Sequence, residues 1–209
     1  MGTTESMEAI RLAASERGRA AEVLARAFQD DPAYRRIVSD GAARSRSLRA
    51  LFGAVVGYSL RYANVYTTPA VEGAACWLAP GNTEITFWRM LRTGMGLQRA
   101  VARFPQESRQ LLLDALGYLD EIHKRLMTRP HWYLWALGVE PTRQGQGIGG
   151  TLIQPTLARS DKEGAPCYLE TQNEWNVAFY QRWGFEVLAE EVVPGLEVRS
   201  WSMLREPRR

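Results

Sequence analysis

The stretch Leu137-Gly138-Val139-Glu140-Pro141-Thr142-Arg143-Gln144-Gly145-Gln146-Gly147-Ile148-Gly149-Gly150 joins an apolar, aromatic-rich run to a segment with helical spacing. A glycine-rich turn at that junction leaves a row of backbone N–H groups free at a helix N-terminus. Free amides and the helix dipole together favour negative charge, so the turn is suited to phosphate oxygens. Gly138 breaks an otherwise β-forming run, which marks a bulge or a close backbone approach.

Outward from this loop, His131 to Val139 reads as a strand with Tyr133, Trp135, Leu137 and Val139 on one side. Gly147 to Arg159 reads as a helix despite Pro155, and Ala165 to Thr171 as a second strand. Together they make a strand–helix–strand crossover over 132–171. Trp175 to Trp183 is a short helix followed by Gly184-Phe185. Glu186 to Val193 and Leu196 to Leu204 form a hairpin around Pro194-Gly195. Upstream, residues 15–28 and 45–61 have amphipathic helical spacing, carried by Ala20, Val23, Leu24 and Ala27 and by Leu48, Leu51, Phe52, Val55 and Val56. Asp30-Asp31-Pro32 breaks the first helix. Asn64 to Thr68 and Gly73 to Leu78 read as a strand pair across Pro69 to Glu72. From Glu84 to Met127 the chain is helical but divided by Gly94, Gly96 and Pro105. Leu112, Leu116, Leu119 and Leu126 are the expected core face of its longest piece. The fold class is therefore α/β in the α+β sense: a mixed, mostly antiparallel sheet of about six to seven strands, flanked by helices, with a helical insertion at about 84–128.

The chain has 209 residues, enough for one domain carrying such an insertion. No apolar run reaches the roughly 18 to 20 residues that span a bilayer. Met1 to Met7 is small and polar, without the apolar core of a secretion signal, which predicts a cytoplasmic protein with no membrane partner. Cys76 and Cys167 each sit in an apolar strand-like run and read as buried, reduced thiols. Of the 26 Lys plus Arg, only Lys124 and Lys162 are lysines, and the arginines are scattered. That pattern predicts a solvated surface, with no nucleic-acid stripe and at most a weak pull on an anionic cofactor.

Gly145, Gly147 and Gly150 satisfy the dinucleotide pattern G-x-G-x-x-G, and Glu170 follows at the distance of an acidic ribose ligand. The offset is wrong, however. Residues 140–144 separate the strand from the first glycine, and too little chain follows for the remaining strand–helix units. Gln144-x-x-Gly147-x-Gly149, preceded by Leu137-x-Val139-x-Pro141, is the better description. Asn173 lies seven residues before Tyr180, and Gly184-Phe185 follows Tyr180 in register.

These two motifs resemble those of the GNAT superfamily of N-acetyltransferases. Residues 131–204, including His131-Trp132-Tyr133-Leu134, Tyr168-Leu169-Glu170-Thr171, Phe179-Tyr180 and Trp201-Ser202-Met203, resemble the branch containing puromycin N-acetyltransferase. Phe28-Gln29-Asp30-Asp31-Pro32 and Trp77-Leu78-Ala79-Pro80 match more loosely. The resemblance implies a single acetyltransferase domain over 1–209, with an acceptor-shaping half at about 8–130 and an acetyl-CoA-binding core at about 131–205. It implies acetyl-CoA as cosubstrate, no metal, and a primary amine of a small molecule as acceptor, attacked directly in a ternary complex. Gln144, Gly145, Gln146, Gly147, Ile148, Gly149 and Gly150 would hold the pyrophosphate. Leu137 and Val139 would pair with the pantetheine arm, with the Val139 N–H as oxyanion donor and Asn173 as a further partner.

Tyr180 is the expected general acid, since a phenol is protonated at neutral pH. Glu170, at the end of the strand beside the cofactor strand, is the favoured base. Asp30 and Asp31 are candidates for binding a cationic acceptor alongside Glu170. Glu140 reads as solvated, and His123 and His131 as structural or as proton relays. The seven tryptophans read mostly as core. A non-catalytic acyl-CoA-binding module and a protein N-terminal or lysine acetyltransferase are the competing readings, and the chain is expected to be a monomer or a homodimer.

Overall fold

The computed structural model describes residues 8–208; the polar segment Met1 to Met7 and Arg209 lie outside them. The chain runs β1 (Ile10–Arg11), α1 (Arg17–Ala27), α2 (Pro32–Ile37), α3 (Gly41–Tyr62), β2 (Ala63–Thr67), β3 (Gly73–Leu78), α4 (Phe87–Arg92), α5 (Gly96–Val101), α6 (Gln106–Leu126), β4 (Trp132–Val139), α7 (Ile148–Glu163), β5 (Cys167–Thr171), α8 (Glu174–Arg182), β6 (Glu186–Val193) and β7 (Val198–Arg205). The strands form one seven-stranded sheet in the order β1-β2-β3-β4-β5-β7-β6. Only β4 and β5 are parallel, joined by the α7 crossover; every other pair is antiparallel. This is the mixed sheet that the sequence predicts.

Two elements escape the sequence reading. β1 is two residues long, too short for any periodicity. The α2 helix begins at the same Asp-Pro that was read only as a breaker. Asp31 accepts from the Ala33 and Tyr34 amides at 3.0 and 3.4 Å, and Pro32 fills the first helical turn. A cap followed by proline both ends one helix and starts the next.

The helical insertion falls where expected. β3 and β4 are antiparallel neighbours that a tight turn could join, yet α4, α5 and α6 intervene. The core face of α6 is corrected. Its buried residues are Ser108, Leu112, Ala115, Ile122 and His123, while Leu116 is 42% exposed. Leu116 lies four residues from Leu112, but the covered stripe runs through Ala115, so leucine identity misplaces the face by about one position.

The β4 reading is corrected as well. Cys76 pairs with Ala136 and Trp77 with Leu134, so Trp135 is an extra residue bulged out of the ladder. The alternation therefore reverses there. Tyr133 and Trp135 lie on the face that carries α1, α3 and α6, whereas Leu137 and Val139 lie on the α7 and α8 face, packed with Ile148, Leu152 and Phe179. Gly138 then faces α1. A Cβ on it would stand 2.8 Å from Leu24 Cδ2 and 2.9 Å from Ala27 Cβ, so the glycine is a close approach and the bulge lies elsewhere.

The sheet separates two apolar cores. Leu24, Leu48, Phe52, Val56, Phe104 and Leu112 fill one side, against Ala74, Cys76 and Ala136. Trp77, Trp132, Leu134, Ile153, Leu169 and Met203 fill the other, under α7 and α8. Arg205 pins α7 to β7: the nearly buried guanidinium donates to both Asp161 oxygens at 2.7 and 2.8 Å and to the Trp183 carbonyl at 3.0 Å.

Candidate active site

β4 and β5 pair only at Trp132 with Cys167 and at Tyr133 with Tyr168. Beyond that point both strands continue, but no longer side by side. The Glu140 N–H bonds to the Glu72 carbonyl, on the β3 side of β4. Residues of an antiparallel ladder alternate in the direction of their peptide groups. Leu137 and Val139 therefore turn their N–H and C=O groups toward the gap. The Gln144 amide confirms this direction, donating to the Val139 carbonyl at 3.2 Å.

The gap opens into a cleft of about 730 Å³, lined by Leu137 to Val139 on one wall and by Asn173, Asn176, Phe179 and Tyr180 on the other. The glycine loop forms its mouth. Gly145 and Gly147 have φ of +76° and +85°, values that an L side chain rarely adopts, and nothing caps α7 with a side chain. The first amides of α7 are thus without an internal partner, as anion binding requires. Gly149 and Gly150 serve packing. A Cβ on Gly150 would lie 2.4 Å from Trp183 Cζ2, and one on Gly149 would meet Phe179 at 3.4 Å. The parted strands, outward amides and glycine cradle fit a pyrophosphate and a slender, amide-bearing arm, which are the features of acetyl-CoA.

Asn173 caps α8, its Oδ1 accepting from the Trp175 amide at 3.1 Å, and also lines the cleft. Tyr180 is 6% exposed within the apolar core under α8, and burial raises its pKa above the ordinary phenol value. Glu170 lies on the opposite face of the sheet, next to the parting of β4 and β5. Its Oε2 accepts from the Tyr133 hydroxyl at 2.7 Å, while Oε1 is shut off from solvent without a partner. Burial pushes its carboxyl up to about 7, against the opposing pull of the hydrogen bond from Tyr133.

The remaining candidates separate. Asp30 stands exposed at the rim, 4.0 Å from Arg44, while Asp31 is occupied in capping α2 and its pKa is raised by burial. Both border the cleft. Glu140, read as solvated, instead receives Arg26 in a bidentate pair, with contacts of 2.7 to 3.0 Å. Arg143 is tied to Glu72 at 2.7 Å. Both cysteines are free and buried, their thiols pushed up to about 12 by burial. Trp88 and Trp175 depart from the core reading at 69% and 88% exposure; Trp175 borders a second, open cleft beside Asp30, Arg35, Glu197 and Trp201. Tyr133, Tyr168 and Phe179 were not read as site residues. The Tyr168-x-Glu170 spacing, which places both on one strand face, was the available signal for the first two. Among the described residues, no helix is long and apolar enough to cross a membrane, and no three His, Cys, Asp or Glu side chains converge as metal ligands would.

Known proteins resemble this chain in sequence and in fold. The model of the acetyltransferase (GNAT) family matches residues 113–185. An uncharacterized N-acetyltransferase of Schizosaccharomyces pombe is 28% identical over 185 residues, covering 86% of this chain and 74% of the relative. The solved structure of a histone acetyltransferase HPA2 and related acetyltransferase from Corynebacterium glutamicum superposes with a TM-score of 0.65 at 20% identity, over 98% of both chains. Arylalkylamine N-acetyltransferase 2 from Aedes aegypti superposes with a TM-score of 0.64 at 13% identity, over 98% of this chain and all of the other. The solved neighbours share a GNAT-like fold with this chain, and the GNAT family model matches one segment of it.

Proposed function

We propose that the chain is an acetyl-CoA-dependent N-acetyltransferase acting on the primary amine of a small molecule, in a single domain over 1–209 with its acceptor half at about 8–130 and its cofactor core at about 131–205. The observation that carries this reading is the parting of β4 from β5 beside the glycine loop, with Tyr180 and Glu170 on opposite faces of the sheet at that gap. Acetyl-CoA, when bound, supplies a thioester acyl group.

The amides of Gly145 to Gly150 would hold its pyrophosphate, and the peptide groups of Leu137 and Val139 its pantetheine arm. The Val139 N–H is aimed to donate to an acyl oxygen, a fixed dipole that needs no rearrangement. Glu170, with its carboxyl at about 7, is poised to accept a proton from an arriving ammonium near neutral pH. Tyr180 keeps its proton on Oη at that pH and can release it toward the sulfur side of the cleft. The two buried thiols stand apart from these groups, which favours direct transfer over an acyl-enzyme.

Calorimetric binding of acetyl-CoA and thiol release over a panel of arylalkylamines, polyamines, amino acids, aminoglycosides and puromycin test the reading. Puromycin is included for the sequence likeness of residues 131–204. Tyr180→Phe should lower kcat about a hundredfold, within the range of general acid catalysis, with acetyl-CoA affinity held within about threefold. Absence of acetyl-CoA binding refutes the reading, and unchanged turnover in Tyr180→Phe removes that residue from its role.

A further inference from the structure

The Glu170 carboxylate sits in a ring of phenols and imidazoles that the cofactor cleft does not include. Tyr133 donates to Oε2 from the last paired residue of β4. Tyr168 is its pairing partner on β5 and lies two residues before Glu170 on the same strand face. The Tyr168 hydroxyl donates to Ser202 Oγ at 3.0 Å, which fixes its ring beside Glu170.

Behind both rings stands His123 of α6, stacked on Tyr168 at 4.6 Å between centroids with an 18° tilt and packed on Tyr133 at 4.5 Å. Its Nε2 is 2.7 Å from His131 Nε2, and His131 Nδ1 lies 2.8 Å from the Arg129 carbonyl. A carbonyl only accepts, so His131 carries its proton on Nδ1 and accepts from His123 through Nε2. Every ring is thereby held by another. The other titratable groups facing this ring are Tyr34 of α2, Asp120 and Lys124 of α6, Arg129 ahead of β4 and Glu191 of β6.

We propose that Tyr133 clamps Glu170 through its hydrogen bond to Oε2, with Tyr168, His123 and His131 packed as the backing, so that Oε1 alone is left to take a proton from the acceptor. Tyr133 is a positioning residue in this scheme. The inference rests on Glu170 being the base. Donors to a carboxylate favour its charged form and oppose the cost of burial. The Tyr133 phenol thus holds the base in the neutral range, where an unopposed buried carboxyl would stay protonated and idle.

The test uses Tyr133→Phe, Tyr168→Phe and the double variant, which keep the rings packed on His123. Titration of the Glu170 carboxyl by infrared spectroscopy of the ¹³C-glutamate-labelled full chain, with the band assigned through Glu170→Gln, needs no turnover. Tyr133→Phe should raise the midpoint by about one unit, the worth of one hydrogen bond to a charged group, whereas Tyr168→Phe, whose lost hydroxyl bonds Ser202, should leave it in place. In Tyr133→Phe the acid limb of the rate profile should move with the midpoint, so that activity falls about tenfold at pH 6 and recovers at pH 9. An infrared midpoint unmoved in the double variant overturns the clamp. A midpoint that moves while the rate limb stays fixed, or full activity in Glu170→Gln, upholds the clamp and overturns Glu170 as base.

Discussion

Gly150 carries two requirements at once, and only one is visible in the chain. Its place in the Gln144 to Gly150 loop identifies it with anion binding. In the structure a Cβ there would stand 2.4 Å from Trp183 Cζ2, so the absent side chain is what lets α7 lie against the end of α8. Gly150→Ala is expected to cost about 1–3 kcal/mol, the usual penalty of overpacking, and to lower Tm by about 3–9 °C in a chain of this size. Differential scanning calorimetry checks this, and an unchanged Tm would mean that Trp183 can swing away freely. Gly147, by contrast, is required by its φ of +85°, where nothing crowds it. Asp31 teaches the same lesson in reverse. A residue picked for its charge turned out to be bound to two backbone amides.

Elements in this protein are held in place by a few polar ties across their ends. The clearest is Arg205 of β7 with Asp161 of α7, in which the arginine side chain is 4% exposed and the carboxylate 28%. The Asp161 carboxyl lies below the usual range because Arg205 hydrogen-bonds its charged form. Asp161→Ala should cost about 3 kcal/mol in urea unfolding, since it strands a charge among apolar neighbours. Replacing Arg205 by Met in that background should recover most of the loss, because an apolar pair of similar volume leaves nothing unpaired. Failure of this rescue would show that the Arg205 bond to the Trp183 carbonyl, and not the ion pair, is what matters. At this scale strands of five residues or more and helices of about nine or more were legible from periodicity, whereas β1 and α2, with two and six residues, were too short. The Trp135 bulge was hidden too, because alternation in one strand says nothing about its partner's register.

At the scale of the whole molecule, two opposed titrations meet in one buried cluster. Burial lowers the His123 pKa to about 4, from 6.5 when exposed, so its contribution is complete above pH 6.5 and is lost as pH falls toward 4. Burial raises Glu170 to about 7 from 4.5, so its contribution is complete below pH 4.5 and is lost as pH rises through 7. Between pH 6.5 and 5 these two slopes oppose each other, and His131, also lowered by burial, adds to the His123 side. Glu170→Gln removes the opposing slope and should lose about 2 kcal/mol more stability than the parent protein over that interval. Denaturant unfolding at the two pH values reads this directly. An equal loss in both proteins would mean that Glu170 titrates normally.

The sequence by itself determined the order of the long elements, the glycine cradle and the residues of the two motifs. These depend on local spacing: period 3.6 or 2, a turn that needs positive φ, a cap beside a helix. Only the tertiary structure decided which face each β4 residue occupies, that β4 and β5 part after two pairs, and that Glu170 lies among Tyr133, Tyr168 and His123. Those facts come from residues dozens of positions apart, brought together by a parallel pairing and a helical insertion. No local period encodes that meeting, because it is fixed by how the two cores pack on either side of the sheet.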